Sequence, residues 1–235
     1  MGRIGIPKII WQTYPSKVLP PKAVACRDSW VSLNPGWEYR FMDDDEMHRF
    51  VKGNSCTSVY RTFCNLPLGV MRADYWRYLV IHKHGGLYTD IDTLCREPID
   101  DWLPRDAEFV VCPENAEHLC QWTFLSAPHQ PILRSVLALV EERMNSDIDT
   151  SFEHFVHMTT GPGAWTDGIM RVLGSQETNM LKLCTSGKYR EYTEQQVYIF
   201  SAMLFRRSKV VHFFASRYWK EDYISWTTQR DQLLD

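Results

Sequence analysis

The first part of the chain alternates between strand-like and helix-like patterns, and this alternation limits the folds it can adopt. Residues 8–13 form an apolar strand pattern, 22–33 a helical pattern, and 37–42 a second strand pattern after a turn at 34–36. A strand, a helix and a strand in such close succession indicate a βαβ unit in a largely parallel sheet. We therefore expect an α/β fold with a mainly parallel central sheet flanked by helices.

The remainder of the chain continues the same alternation. Residues 70–84 form the strongest helical pattern, which ends at the pair Gly85-Gly86, and 87–94 follow as a strand. Residues 53–69 show no regular pattern, and 195–205 are ambiguous between helix and strand. Further strands are expected at 108–112, 121–126 and 209–214, and further helices from Asp43 to Val51, at 132–144 and at 165–173. No linker divides the chain, so we expect a single domain over residues 1–235.

Composition excludes several classes of protein. The chain has 26 Lys and Arg residues against 29 Asp and Glu, a net charge of −3, so it lacks the basic field that general nucleic-acid binding requires. No apolar run is long enough to cross a bilayer, and the N-terminus has no signal-peptide pattern. The cysteines, seven in number and without a Cys-x-x-Cys spacing, favour a reducing compartment. We expect a cytoplasmic, soluble protein and leave peripheral attachment to a membrane open.

Two acids in the strand after the glycine pair point to a metal ion. In a strand, Tyr88, Asp90 and Asp92 share one face, which puts the two carboxylates about 6.6 Å apart. Two ionised carboxylates at that distance repel by about 2–3 kcal/mol at an effective dielectric constant of about 20. A hard divalent cation would offset this repulsion and keep open positions for diphosphate oxygens.

The preceding helix adds a second polar pair. Asp74 and Arg77 are three residues apart and therefore lie on one helix face. Such a pair can be a simple ion pair, or it can present Arg77 to a phosphate or hydroxyl and Asp74 to a sugar hydroxyl. Because Gly85-Gly86 permits a sharp return of the chain, we expect both polar pairs to border one pocket.

The string Asp74-x-x-Arg77, Gly85-Gly86-x-Tyr88-x-Asp90-x-Asp92 resembles the metal-binding core of glycosyltransferase family 32, the family with a DXD sugar-binding region. This family includes outer-chain α-1,6-mannosyltransferases and mannosyl-inositol-phosphoceramide synthases, and residues 6–13, 34–40 and 98–100 are similar to it as well. The resemblance implies a GT-A fold, in which a Rossmann-like sheet holds a nucleotide-diphospho-sugar and Mn²⁺ or Mg²⁺. It further implies a nucleotide-sugar-binding half at 1–102, and an acceptor side with a C-terminal closing segment at 103–235.

The resemblance also implies the roles of individual residues. Asp92, Asp90 and His212 are the expected metal ligands, and Asp90, Asp92 and Arg77 are the expected catalytic residues. The expected nucleotide-sugar-binding residues are Trp11, which would stack on the base, Gln12, Thr13, Asp74, Arg77, Tyr88, Asp90, Ser216 and Trp219. The expected acceptor-side residues are Gln121, Gly161 and Pro162.

The family resemblance implies transfer of a hexose to a glycan or glycolipid hydroxyl with retention of anomeric configuration. GDP-mannose is the leading donor, because the similarity is greatest to the mannosyl-transferring branch; UDP-galactose, UDP-glucose and UDP-N-acetylglucosamine stay open.

Two other functions are alternatives to a glycosyltransferase. A dehalogenase-type phosphatase has a similar Asp-x-Asp-x-Thr loop, but Leu94 stands where that loop has Thr. A nucleotide-sugar-binding module without turnover is the second alternative.

Overall fold

The computed structural model describes residues 5–146, 155–185, 189–192, 196–202 and 209–213, so Ser216 and Trp219 lie outside the described residues. The strands within these ranges are β1 (Ile9–Thr13), β2 (Glu38–Met42), β3 (Gly86–Thr89), β4 (Thr93–Cys95), β5 (Phe109–Val111), β6 (Thr123–Ser126), β7 (Tyr189–Tyr192), β8 (Val197–Phe200) and β9 (Val210–His212). The α-helices are α1 (Pro21–Leu33), α2 (Asp44–Asn54), α3 (Thr57–Asn65), α4 (Gly69–His84), α5 (Ile99–Trp102), α6 (Pro131–Met144), α7 (Phe155–Thr159) and α8 (Pro162–Leu173).

Seven of these strands form one sheet in the order β2-β1-β3-β6-β5-β8-β7. Strand β1 runs parallel to both β2 and β3, and β5 runs parallel to β8. Strand β6 is antiparallel to β3 and β5, and β7 is antiparallel to β8, so five of the seven strands point in one direction. The expected α/β fold with a mainly parallel sheet is confirmed. A separate pair, β4 and β9, forms a small antiparallel sheet.

Two hydrophobic clusters cover the two faces of the large sheet. Alternate residues of β1 and β3 divide between them: Ile10 and Leu87 belong to one cluster, and Trp11 and Tyr88 to the other. Helix α4 lies within the second cluster, with buried residues from Met71 to Ile81 and contacts to α2, α3 and α6. A helix that is apolar on most sides is stable only when it is covered in this way. None of the described helices is both long and apolar enough to cross a membrane.

Most of the expected elements are confirmed, with the acidic run at 43–46 acting as a helix cap. The backbone N–H of Glu46 donates to Asp43 Oδ1 at 2.8 Å, and the Glu46 carboxylate accepts from the Asp43 N–H at 3.2 Å. The expectation of an irregular segment at 53–69 is wrong, because α3 lies within it. This short helix buries Phe63 in the core beside α4, and that packing supplies stability that its length alone cannot.

Candidate active site

A tight glycine turn joins helix α4 to strand β3 and sets the position of the site. Gly85 and Gly86 have φ angles of 67° and 106°, in the region that favours glycine. A Cβ atom added at Gly86 would lie 2.5 Å from the carbonyl oxygen of Ile9. The backbone of β3 therefore lies close to β1, and the polar face of α4 is near the end of β3.

The two acids occupy a β-turn, which corrects the expected strand at 87–94. Strand β3 ends at Thr89, and the N–H and hydroxyl of Thr93 donate to the Asp90 carbonyl at 3.2 and 2.6 Å. Aspartate is favoured at the first position of such turns, where its short polar side chain can accept hydrogen bonds from nearby backbone N–H groups. The carboxylates of Asp90 and Asp92 therefore converge on one point instead of being spaced along a strand face.

Neighbouring strands hold both ends of this turn. The N–H of Asp90 donates to the Trp122 carbonyl at 2.8 Å, and the side-chain amide of Gln12 donates to the Asp90 carbonyl at 3.0 Å. At the other end, the N–H of Phe213 donates to the Asp92 carbonyl at 3.1 Å. Segments distant in sequence thus fix the backbone that carries the two carboxylates.

His212 completes a group of three metal-ligating side chains with the two acids. Pairing of β4 with β9 places His212 opposite Thr93, with its Nε2 3.0 Å from Asp92 Oδ1 and 3.8 Å from Asp90 Oδ2. One ligand atom from each residue lies within 4.8 Å of the others, and the Trp122 ring stacks on the imidazole with centroids 4.7 Å apart. Carboxylate oxygens with one imidazole suit a divalent first-row ion such as Mn²⁺, so the donor set fits the expected metal.

Arg77 connects helix α4 with the acidic turn. Its guanidinium lies 3.1 Å from Asp74 Oδ1 and 3.2 Å from Asp90 Oδ1, and only 8% of its side chain is exposed. The guanidinium also lies over the Tyr88 ring, 4.5 Å from the centroid, while the Tyr88 hydroxyl donates to Asp90 Oδ1 at 2.6 Å. Four residues expected to bind the donor are therefore in contact with one another, namely Asp74, Arg77, Tyr88 and Asp90. Removal of Arg77 would leave buried negative charge uncompensated.

Asp74 lies on the side of Arg77 opposite to the acidic turn, and burial makes its carboxyl group less acidic. Burial raises the pKa of Asp74 to about 7, although Arg77 and a hydrogen bond from Thr160 act to lower it. The Thr160 hydroxyl donates to Asp74 Oδ2 at 3.0 Å. Sequence analysis did not single out Thr160, yet this residue directly precedes the expected acceptor-side residues Gly161 and Pro162.

The expected acceptor-side residues surround this end of the network. Gln121 is buried, and its amide donates to the Thr160 carbonyl at 3.1 Å and to the Tyr78 hydroxyl. Pro162 is the first residue of α8, and Gly161 precedes it. Their contact with an acceptor stays a prediction. Tyr78, which the sequence analysis missed, donates to the Thr160 carbonyl at 2.7 Å.

The three expected donor-binding residues of β1 each donate a hydrogen bond to a backbone carbonyl of a neighbouring segment. Trp11 is 1% exposed, its indole N–H donates to the Gly85 carbonyl at 3.0 Å, and the guanidinium of Arg40 lies 5.0 Å from its ring centroid. Gln12 is fully buried with its amide on Asp90, and the Thr13 hydroxyl donates to the Met42 carbonyl at 2.7 Å. Stacking of Trp11 on a base and nucleotide contacts of Gln12 and Thr13 remain predictions.

Comparison with known proteins identifies relatives of this chain. Residues 20–109 match the family described as glycosyltransferase sugar-binding region containing DXD motif. The initiation-specific alpha-1,6-mannosyltransferase of Schizosaccharomyces pombe is 28% identical over 198 residues, which cover 73% of this chain and 50% of that protein. Inositol phosphoceramide mannosyltransferase 3 of the same yeast is 34% identical over 98 residues, which cover 42% of this chain and 27% of that protein. The match spans about half the length of the alpha-1,6-mannosyltransferases of Schizosaccharomyces pombe and Candida albicans.

A solved structure supports the same assignment at the level of the fold. The PaToxG glycosyltransferase superposes with a TM-score of 0.56 at 15% identity, covering 72% of this chain and 70% of that chain. This likeness confirms the expected GT-A fold. The match at 20–109 includes Asp74, Arg77, Asp90 and Asp92, the residues whose side chains form the polar network. Residues 20–109 of this chain are therefore similar to the glycosyltransferases whose sugar-binding region contains a DXD motif.

Proposed function

We propose that this protein is a metal-dependent, retaining glycosyltransferase that moves a hexose from a nucleotide-diphospho-sugar to a hydroxyl of a glycan or glycolipid. The observation that carries the proposal is the convergence of Asp90, Asp92 and His212 within 4.8 Å, beside the buried Arg77. Residues 1–102 would bind most of the donor, and 103–235 would form the acceptor side and close the site. His212, from the second part, would then contribute to the metal site of the first.

The acidic turn and Arg77 have complementary tasks in this reaction. Asp92, Asp90 and His212 would hold a divalent ion, which when bound supplies a Lewis acid for the departing nucleoside diphosphate. Arg77 is held in place by Asp74 and Asp90, so its positive charge is preorganised where negative charge develops. Asp74 and Arg77 would also orient the sugar through its hydroxyls.

Retention of configuration places few further demands on the protein. The acceptor hydroxyl would attack from the face that the diphosphate leaves, and the departing phosphate oxygen would take the hydroxyl proton. No protein nucleophile is needed for this front-face route. The principal task of the chain is then to hold donor and acceptor in reacting geometry and to stabilise charge.

The proposed donor is GDP-mannose. The relatives in Schizosaccharomyces pombe are named as mannosyltransferases, and the family match at 20–109 includes the acidic turn. The hexoses carried by UDP, namely galactose, glucose and N-acetylglucosamine, are the alternatives. A direct comparison of donors distinguishes them.

Donor turnover tests the proposed function. Purified protein with Mn²⁺ is given GDP-mannose and the three UDP-sugars in separate reactions, and release of nucleoside diphosphate is measured. We expect turnover with GDP-mannose, its loss in Asp92→Ala because a metal ligand is removed, and wild-type turnover in Asp101→Ala, which changes an exposed aspartate of α5.

Three outcomes would contradict the proposal. Wild-type turnover in Asp92→Ala would show that the metal assignment is wrong. Binding of GDP or UDP with neither hydrolysis nor transfer would favour a binding module, and release of phosphate from p-nitrophenyl phosphate would favour a phosphatase.

A further inference from the structure

The backbone carbonyl of Asp90 is an anchor point of the acidic turn. It accepts hydrogen bonds from the Thr93 hydroxyl at 2.6 Å, the Thr93 N–H at 3.2 Å and the Gln12 amide at 3.0 Å. The two bonds from Thr93 close the turn on itself. The bond from Gln12 ties the turn to β1, and so to the large sheet.

The Gln12 amide is itself oriented by a second side chain. The Tyr39 hydroxyl donates to Gln12 Oε1 at 2.9 Å, and Gln12 is fully buried. Burial raises the pKa of Tyr39 above its ordinary value, so the hydroxyl keeps its proton and acts as a donor at neutral pH. With its oxygen held by Tyr39, the amide must present its NH₂ group to the Asp90 carbonyl.

The sheet register brings Tyr39 and Gln12 together. Ile10 pairs with Tyr39 and Gln12 pairs with Phe41 in the parallel ladder of β1 and β2. Gln12 and Tyr39 are therefore diagonal neighbours, close enough for a long aromatic side chain to reach the amide.

We propose that Tyr39 and Gln12 form a positioning relay that sets the metal affinity of the acidic turn through the backbone carbonyl of Asp90. The inference rests on the proposed function, because it needs Asp90 and Asp92 to hold a divalent ion. Without the Tyr39 hydroxyl, the buried Gln12 oxygen loses its donor, and the amide has to move to find another partner. Its hydrogen bond to the Asp90 carbonyl then weakens, and the turn is held less firmly in its ligating geometry. Residues that orient metal ligands typically affect affinity by about 10–100-fold when changed.

Manganese binding to Tyr39→Phe tests the relay directly. Binding is measured by electron paramagnetic resonance of free Mn²⁺ and by calorimetry, with no donor present. We expect the dissociation constant to rise about tenfold in Tyr39→Phe, at the low end of that range because the effect passes through a backbone carbonyl. Gln12→Met, which keeps the side-chain length and removes the amide, should show at least the same rise. Tyr198→Phe is the matched control, since this strand tyrosine donates one hydrogen bond, to Asp106 at 2.9 Å, away from the turn.

Saturation with metal separates positioning from a purely structural role. In the relay, excess Mn²⁺ restores kcat of Tyr39→Phe to within about twofold of wild type, because the defect lies in ligand geometry rather than in the fold. Thermal melting of each variant confirms that it is folded. Unchanged Mn²⁺ affinity in both variants, or a loss of kcat that excess Mn²⁺ does not restore, overturns the relay alone. Absence of Mn²⁺ binding by the wild-type protein overturns the proposed function and the relay together.

Discussion

At the scale of single residues, the site depends on charges that are buried and mutually compensated. Arg77 lies between the carboxylates of Asp74 and Asp90, and all three contribute to one hydrogen-bonded network with Tyr88. In such a network each group influences the protonation of its neighbours, so a substitution at one position changes the hydrogen bonds and charges at the next. Asp74 is the clearest case, because burial raises its pKa to about 7, close to neutral pH.

We predict that Thr160→Val moves the acid limb of the pH–rate profile to higher pH. The Thr160 hydroxyl donates to the ionised carboxylate of Asp74 and lowers its pKa, so loss of this bond raises the pKa further. If ionised Asp74 binds the donor sugar, activity falls on the acid side of its pKa, and the fall then begins at higher pH. A hydrogen bond to a charged group contributes about 1.5–3 kcal/mol, which corresponds to about one pH unit or more.

The measurement is kcat/KM for GDP-mannose from pH 5 to 9. Thr160→Ser keeps the hydroxyl and should retain the wild-type profile. A profile for Thr160→Val that overlays that of the wild type would contradict the assigned role of Asp74.

At the scale of elements, the glycine turn between α4 and β3 determines whether the polar face of the helix meets the acidic turn. Gly86 has a positive φ and lies against the Ile9 backbone, so a side chain there meets both backbone strain and a steric clash. The turn is thus a structural requirement of the site, although it contributes no functional group.

We predict that Gly86→Ala destabilises the protein by at least about 1–3 kcal/mol, the cost of a residue held in a poorly populated backbone conformation, and lowers its melting temperature. Gly53→Ala is the matched control, because Gly53 lies in α2 with open space around its Cα and without a positive φ. That variant should be neutral or more stable by up to about 1 kcal/mol, since Ala is the better helix former. Equal melting temperatures for the two variants would contradict the role of the turn.

The sequence predicted local elements well and tertiary contacts poorly. Helix α4, the glycine pair and the two acids were evident because each has a strong local signal within residues 69–92. The β-turn at Asp90 was missed because an alternating acidic pair also fits a strand, and because Gln12, which ties the turn to β1, is 78 residues away in sequence. Thr160 and Tyr39 likewise acquire their roles only from contacts made across the fold.

At the scale of the whole molecule, the site lies where the end of β3 meets a separate two-stranded sheet. Strand β9 brings His212 to Asp92 over a separation of 120 residues. Local sequence patterns cannot predict such a contact, and the expectation for His212 came from the family resemblance. The large sheet and its two hydrophobic clusters provide the rigid support from which the turn and β9 converge.

The most direct test of the metal centre is a crystal structure of the protein grown with Mn²⁺ and GDP, with anomalous scattering recorded at the manganese edge. We predict an anomalous peak within bonding distance of the Asp92 carboxylate, next to Asp90 and His212 and in contact with the diphosphate. A structure with GDP bound elsewhere, and with no anomalous peak near these three side chains, would contradict the claim that they hold the ion that binds the donor.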